Sequence, residues 1–367
     1  MKAVYIWQNE NWPQFTWDNG KLINLLSEVR YLQGHIGGLA GSLGFEAQNN
    51  TSLDMMTEDV LRSSEIEGVL LNADRVRSSL ARHLGIETGG LPEPDHYTEG
   101  VVQVMIDAVH NNSTPLSDDR LFGWHAALFP NGRSGLYKIT VAAYRVGEEP
   151  MQVVSGAFGK EKVHYEAPPS SAVPGMMQDL LSWIEEDKST DAVMKAAIAH
   201  FWFVAIHPFD DGNGRLARTI TDMLLTRADG MNQRYYSMSA EILKDRNNYY
   251  QVLETTSKGN LDITSWLEWF LNTMKKAIIS SEASIGRVLE KSRFWETHRS
   301  VPMNERQIKI VNRLWDGFDG KLNTSKWAKM TKTSQATALR DISDLVEKDI
   351  LRRSDEGGRS TSYELNI

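Results

Sequence analysis

Apolar residues recur along most of this chain at the three-to-four spacing of helices, and only short runs read as strands. The clearest run, residues 191–206, is apolar on nearly every face. Ala196, Ala197, Ile198, Phe201, Phe203, Val204, Ala205 and Ile206 leave it little polar surface, so it reads as a buried helix. Pro208 cannot continue that helix, and the chain turns at His207. A second helical pattern begins near Arg215, with Leu216, Ile220, Met223 and Leu224 at helical spacing. Further helical runs cover 22–32, 176–186, 263–279 and 281–297, and Pro302 breaks the last. Two β-type runs, 151–156 and 162–166, flank a turn-like segment at 157–160, and Pro168-Pro169 follows. After residue 303 the pattern is finer. Helices are expected at 305–314, at 324–330 with Asn323 or Thr324 as N-cap, and at 334–348 with Ser334 as N-cap. Ala338, Ile342, Leu345 and Val346 form the apolar face of the third. Runs 350–353 and 362–365 then flank Gly357-Gly358, a hairpin signal. The fold class this predicts is mainly α, with a short β-hairpin and a small C-terminal module.

Composition narrows the chemistry. The 367 residues allow two or three domains. The chain has no cysteine, which excludes disulfides, thiolate metal sites and cysteine nucleophiles and fits a reducing cytoplasm. No apolar run approaches the ~20 residues that span a membrane, and residues 1–9 lack the apolar core of a signal peptide. A cytoplasmic protein without membrane association is expected. The net charge of −8 argues against non-specific nucleic-acid binding by the whole chain but says nothing of one local surface.

The candidate chemistry concentrates in residues 207–218. His207 accepts a proton near neutral pH. Asp211 offers a hard oxygen ligand suited to Mg²⁺, which commonly takes one or two carboxylates together with phosphates. Gly212, Asn213 and Gly214 stand at the start of the second helix, where free N–H groups bind anions and glycines admit a phosphate. Arg215 and Arg218, three apart, share one helix face and can fork onto phosphate oxygens. Positioning, charge neutralisation and a base are what phosphoryl or nucleotidyl transfer requires. Zinc-hydrolase and P-loop patterns are absent from the sequence. His200, seven residues before His207 on the apolar run, reads as a satisfied core histidine.

The segment resembles the signature of the Fic family, H-x-F-x-D/E-G-N-G-R-x-x-R, at every fixed position. The resemblance implies a helical Fic core that transfers AMP from ATP to a side-chain hydroxyl of a protein target. It makes His207 the general base and Asp211 the Mg²⁺ ligand. Gly212, Asn213 and Gly214 would form the anion loop, with Arg215 on the phosphates and Arg218 on the γ-phosphate. Doc-type kinases of the family carry Lys at the second motif glycine. Gly214 therefore favours AMP transfer, while phosphocholine and UMP transfer also occur in the family.

Upstream, Ser63, Glu67 and Gly68 are similar to the Fic inhibitory motif S/T-x-x-x-E-G/N. Ser63 and Glu67 lie on one face of a helix that Gly68 could end. The resemblance implies that Glu67 pairs with Arg218 and blocks the γ-phosphate site; in some relatives the same Glu supports AMP removal by orienting a water. The hairpin at 151–166 resembles the family's flap, in which Val153, Val154, Val163 and His164 would hold an extended target segment as an added strand. Tyr249 and Tyr250 resemble a Y-Y-x-x-L-E stretch lining the adenosine pocket in relatives, although tyrosines on an amphipathic helix are also ordinary core residues.

Tyr5-Ile6-Trp7 and Trp12-Pro13 resemble a small N-terminal domain that accompanies Fic cores in many bacterial proteins. Three helices and a hairpin make a winged helix-turn-helix, resembling those appended to Fic proteins. The expected division is 1–110, a helical region carrying the inhibitory helix; 111–300, the Fic core; and 301–367, the winged helix-turn-helix. Residues 334–348 would be the recognition helix, with Arg352, Arg353 and Arg359 in the wing. That helix carries Arg340 and Lys348 against Asp341, Asp344 and Glu347, so it is not basic by count, and either DNA or a protein could dock there. The resulting expectation is a self-inhibited protein adenylyltransferase acting on a Ser, Thr or Tyr hydroxyl, including its own. The family adds the expectation of a homodimer. The alternative is a DNA-binding regulator that contacts DNA through 303–367 and uses the core as a nucleotide sensor.

Overall fold

The computed structural model describes residues 5–87, 90–155, 162–315, 317–318, 320–354 and 361–367. The flap turn at 157–160, the Gly357-Gly358 turn, Arg359 and residues 1–4 lie outside the described residues. The chain divides into two compact units, residues 1–283 and 284–367.

Helices α1 (Asn19–Gly41), α2 (Phe45–Ile66), α3 (Ala73–His83), α4 (His96–His110) and α5 (Asp118–Leu128) open the first unit. Their starts are written in the sequence: Asp18, Asn72, Asp95 and Ser117 each accept a backbone N–H of the first turn. The strand pair β1 (Arg133–Ser134) and β2 (Tyr137–Lys138) follows. Next comes the antiparallel pair β3 (Gln152–Ser155) and β4 (Lys162–Glu166), in which Val154 faces Val163. Helices α6 (Val173–Glu186), α7 (Ala192–Ile206), α8 (Asn213–Asp229), α9 (Met238–Lys244) and α10 (Arg246–Thr256) complete the core. The runs 263–279 and 281–297 form one helix, α11 (Thr264–Thr297), because neither Pro nor Gly separates them.

The centre of this unit is α7 packed along α8. As its all-round apolar pattern requires, nearly all of α7 is buried, and Trp266 of α11 donates to its Ala197 carbonyl at 2.8 Å. The N-terminal segment lies on the same core: Trp7 Nε1 donates to the Glu166 carbonyl at 2.9 Å, and Thr16 bridges Asp262. Helices α4 and α5 cross so closely that a Cβ at Gly100 would overlap the Ala127 carbonyl oxygen. Helix α2 packs on α3, α4, α8 and α9 through buried Leu53, Met56 and Val60. Its Asp59 accepts from Ser237 Oγ and from Ser239 N at 3.2 Å. Beside it, buried Asp222 of α8 pairs with Arg234 at 3.1 Å. Burial, and then the neighbouring Asp59 carboxyl, hold Asp222 well above the usual carboxylate range. None of the helices, among the described residues, is long and apolar enough to cross a membrane.

In the second unit, α12 (Glu305–Trp315), α13 (Thr324–Thr331), α14 (Gln335–Glu347) and the antiparallel pair β5 (Leu351–Arg353) and β6 (Tyr363–Leu365) appear in the expected order. Asn323 and Ser334 are the N-caps of α13 and α14. Ile310, Val311, Trp327, Ile342, Leu345 and Ile350 lie at the heart of the core.

Candidate active site

The apolar helix α7 delivers His207 to the site. It ends there because Pro208 follows, and His207 takes a left-handed conformation (φ 52°) with its N–H on the Phe203 carbonyl at 3.0 Å. Arg145 braces the turn, donating from Nε to the His207 carbonyl (2.8 Å), from its backbone N to the Pro208 carbonyl (2.9 Å), and from Nη2 to the Pro168 carbonyl. Asn213 closes the loop. Its side chain accepts from Phe209 N at 3.0 Å and donates to Phe209 O at 2.8 Å. Gly212 has φ +85°, and a Cβ there would stand 2.8 Å from the Phe129 ring, so the position demands glycine. Asp211 accepts from Gly212 N at 2.5 Å and from Ser134 Oγ.

Two guanidiniums stand on α8. Arg215 lies 4.7 Å from the Phe129 ring centroid and donates to Tyr97 Oη at 2.8 Å. Arg218 is only 2% exposed. It donates to Ser63 Oγ and Ser63 O, both at 2.9 Å, and to Glu67 Oε1 at 2.8 Å, while its Nη1 has no partner. Glu67 caps the C-terminus of α2, and Gly68 (φ +80°) turns the chain away. The Glu67 carboxylate lies so close to the start of α8 that a Cβ at Gly214 would overlap Oε1. It therefore occupies the anion position that the helix start and Arg218 create together. A cavity of about 350 Å³ opens beside it, lined by Glu67, Tyr97, Phe129, Ser134, Asp211 and Arg215 among others. His207 is not part of that lining.

Burial pushes His207 down to about 4, so its imidazole is neutral at pH 7 and able to take a proton. Burial opposes the charge on Arg218, but the Glu67 carboxylate raises it above the ordinary arginine value. The Asp211 carboxylate lines the cavity with Arg215, and Glu67 lies on the same wall. Among the described residues there is no cluster of three acids or histidines able to bind a metal unaided.

The structure brings His207, Asp211, Gly212, Asn213, Gly214, Arg215 and Arg218 together with Ser63 and Glu67. Tyr249 is buried, with its hydroxyl 3.0 Å from His200 Nε2, and Tyr250 is 40% exposed; neither lines the cavity. Both border the Glu67–Arg218 pair, Tyr250 Oη lying 3.4 Å from the Ile66 carbonyl. His200 is satisfied on both nitrogens, by Thr221 at 2.8 Å and by Tyr249. On the hairpin, Val154 and Val163 are exposed, and His164 links Ser155 to Glu254 of α10, both at 2.5 Å. Sequence reasoning missed Tyr97, Phe129, Ser134 and Arg145. The one available cue was the stretch Asn131-Gly132-Arg133-Ser134-Gly135, a glycine-rich turn carrying a cation and a hydroxyl.

Comparison with known proteins agrees with this geometry. Residues 115–225 match the Fic/DOC family profile, and residues 5–86 match a domain of unknown function, DUF4172. A probable protein adenylyltransferase of Aquifex aeolicus is 28% identical over 103 residues, covering 28% of this chain and 30% of the relative. A protein adenylyltransferase Fic of Drosophila yakuba is 31% identical over 134 residues, covering 34% of this chain and 25% of the relative. The chain thus spans under a third of the curated relatives it matches. The crystal structure of a Fic family protein from Desulfovibrio desulfuricans superposes with a TM-score of 0.56 at 21% identity, covering 94% of this chain and 95% of that one, which establishes a shared fold. Residues 115–225 thus carry the likeness to the Fic/DOC family.

Proposed function

We propose that this chain is a protein adenylyltransferase that moves AMP from ATP to a Ser, Thr or Tyr hydroxyl of a target protein or of itself, and that Glu67 restrains it. One observation carries this reading: the Glu67 carboxylate sits on Arg218 and over Gly214, where a terminal phosphate would sit. The site is built for an anion and is held by one from its own chain.

In the proposed reaction ATP displaces the Glu67 carboxylate, and Arg218 binds the γ-phosphate with donors that include its unpartnered Nη1. Gly212, Asn213, Gly214 and Arg215 hold the remaining phosphate oxygens. Asp211 would hold Mg²⁺, which supplies charge neutralisation across the phosphates when bound. The target hydroxyl is aligned by the hairpin carrying Val153, Val154, Val163 and His164. His207 takes its proton, the hydroxyl oxygen bonds to the α-phosphorus, and the bond to the β-phosphate oxygen breaks, releasing pyrophosphate. Tyr249 and Tyr250 border the side of the site where adenosine would lie. In this scheme residues 1–110 carry the restraint, 111–300 the chemistry and 301–367 a separate winged helix-turn-helix, and the chain works as a cytoplasmic homodimer.

The test uses ATP labelled at the α-phosphate with Mg²⁺ and the full chain. Label on protein with Glu67→Gly, lost in Glu67→Gly/His207→Ala, supports the reading. ATP binding without label in any sample refutes it and favours a nucleotide-sensing regulator.

A further inference from the structure

Counted along the sequence, the helix at 334–348 is slightly acidic. The structure places those charges differently. Asp341 is buried and accepts from Arg306 Nε (2.8 Å), Arg306 Nη2 (3.0 Å) and Asn304 (3.1 Å). Arg306 holds its carboxyl below the usual range. Asp344 accepts from Lys348 at 2.6 Å and from Gln307 at 2.7 Å, and is likewise lowered by Lys348. Both carboxylates are therefore neutralised within the unit. The third acid, Glu347, stands at the C-terminal end of α14.

On the outward face of α14, Gln335, Ala336, Leu339, Arg340 and Ser343 are exposed, and Glu347 is the one exposed acid, at the far end of the helix. Helix α13 precedes it across the three residues Lys332, Thr333 and Ser334, with Lys332 left-handed (φ 53°). From residue 323 to 343 the chain carries Lys326, Lys329, Lys332 and Arg340 against one carboxylate, the buried Asp341. Lys329, Lys332 and Arg340 are exposed; on β5, Arg353 is exposed, and Arg352 is exposed but paired with Glu364 at 2.8 Å.

We propose that this α13–α14 face binds duplex DNA, with α14 in the major groove and Arg340 reading base edges. Two helices joined by a three-residue turn, the second solvent-facing along its N-terminal half, have the geometry that enters a major groove. The residue types match the groove's chemistry. Arg340 can bond guanine bidentately, Gln335 can bond adenine, and Leu339, 48% exposed, can meet a thymine methyl. Lys329 and Lys332 flank the helix start, where they can contact phosphates. A protein-docking face would be expected to carry an apolar centre, yet Leu339 stands alone among polar and small residues. This inference is independent of AMP transfer, because it uses no residue of the nucleotide site.

The test uses the full chain and a randomised duplex DNA pool selected at near-physiological salt. Selected and scrambled duplexes are then compared by fluorescence polarisation across a salt series, with double-stranded RNA of the same length as a third probe. The expected result is preferential binding of the selected duplex with a steep negative salt dependence. Arg340→Ala should lose roughly 5- to 150-fold in preference for the selected duplex. Lys332→Ala should weaken both DNA duplexes alike and reduce the salt slope by about one. His207→Ala should bind as wild type, so failure of AMP transfer leaves this result readable. Lys332 and Arg340 lie on the surface, and unchanged thermal unfolding verifies the fold of each variant. The proposal is overturned by failure to enrich any duplex, by equal binding of double-stranded RNA, or by selectivity indifferent to Arg340→Ala.

Discussion

Replacing Glu67 with glycine removes one charge-assisted hydrogen bond to Arg218 and leaves that guanidinium's two bonds to Ser63 in place. Bonds of this kind contribute about 1.5–3 kcal/mol, and the partial exposure of Glu67 puts this one toward the lower end. A phosphate entering the site must break that bond before Arg218 can serve it. At about 1.4 kcal/mol per factor of ten, its removal should raise the initial rate of AMP transfer roughly ten- to thirtyfold at subsaturating ATP. Glu67→Gln, which keeps the shape and loses the charge, should fall between. The assay is α-phosphate label transfer in a double-mutant cycle of Glu67→Gly with Arg218→Ala. If Glu67 acts through Arg218, its removal gains nothing once Arg218 is absent, and the coupling equals the whole effect. Persistence of the gain in the Arg218→Ala background, or no gain in the wild-type background, would refute the reasoning.

Three further outcomes follow from the surroundings of particular side chains. His200 and His207 are buried as neutral imidazoles, burial pushing them down to about 3 and about 4. Unfolding therefore takes up protons below the ordinary value of 6.5, and stability falls as pH drops through that window; the fall measured by denaturant midpoints should be smaller in His207→Ala, and equal slopes would contradict the assignment. Asp222 runs the opposite way. Its raised pKa means that the folded state binds a proton more tightly than the unfolded one, so stability is full below the ordinary value of 3.8 and is lost as pH rises from there to the raised value. Asp222→Asn should flatten that decline, and an unchanged decline would rule out Asp222 as its source. Gly100→Ala would ordinarily gain up to about 1 kcal/mol in a helix, but the overlap with the Ala127 carbonyl should make it cost about 1–3 kcal/mol, so the sign of the shift in thermal midpoint decides.

How much of this was legible beforehand depends on sequence separation. The motif loop could be read because its parts are contiguous: an apolar helix, a proline stop, two glycines and two arginines one turn apart. The N-caps of α13 and α14 were legible for the same reason. Tyr97, Ser134 and Arg145 were not, since they reach Arg215, Asp211 and His207 from 118, 77 and 62 residues away. Nothing in their local sequence marks a partner. The electrostatics of α14 were hidden differently. Its charges could be counted, but the inward turn of Asp341 depends on Arg306, 35 residues earlier and on another helix. A count gives net charge, whereas a binding partner meets only the charge left unpaired on the surface.

The same distinction bears on how the proposed restraint yields to ATP. Helix α2 is anchored well away from Glu67, through buried Leu53, Met56 and Val60 and through Asp59 in its hydrogen-bonded pocket. Burying each of those apolar side chains is worth about 1.5–3 kcal/mol, so undocking the helix would cost several times what one bond to Arg218 contributes. The cheaper movement is local. Glu67 is the C-cap rather than an interior helical residue, its side chain is about a third exposed, and Gly68 turns the backbone immediately after it. Rotation of the Glu67 side chain alone clears Arg218 Nη2 and the space over Gly214. Under the proposed restraint, relief by a side-chain swing, with α2 still docked, is therefore what the energetics favour, and it would account for a restraining carboxylate placed at the end of its helix.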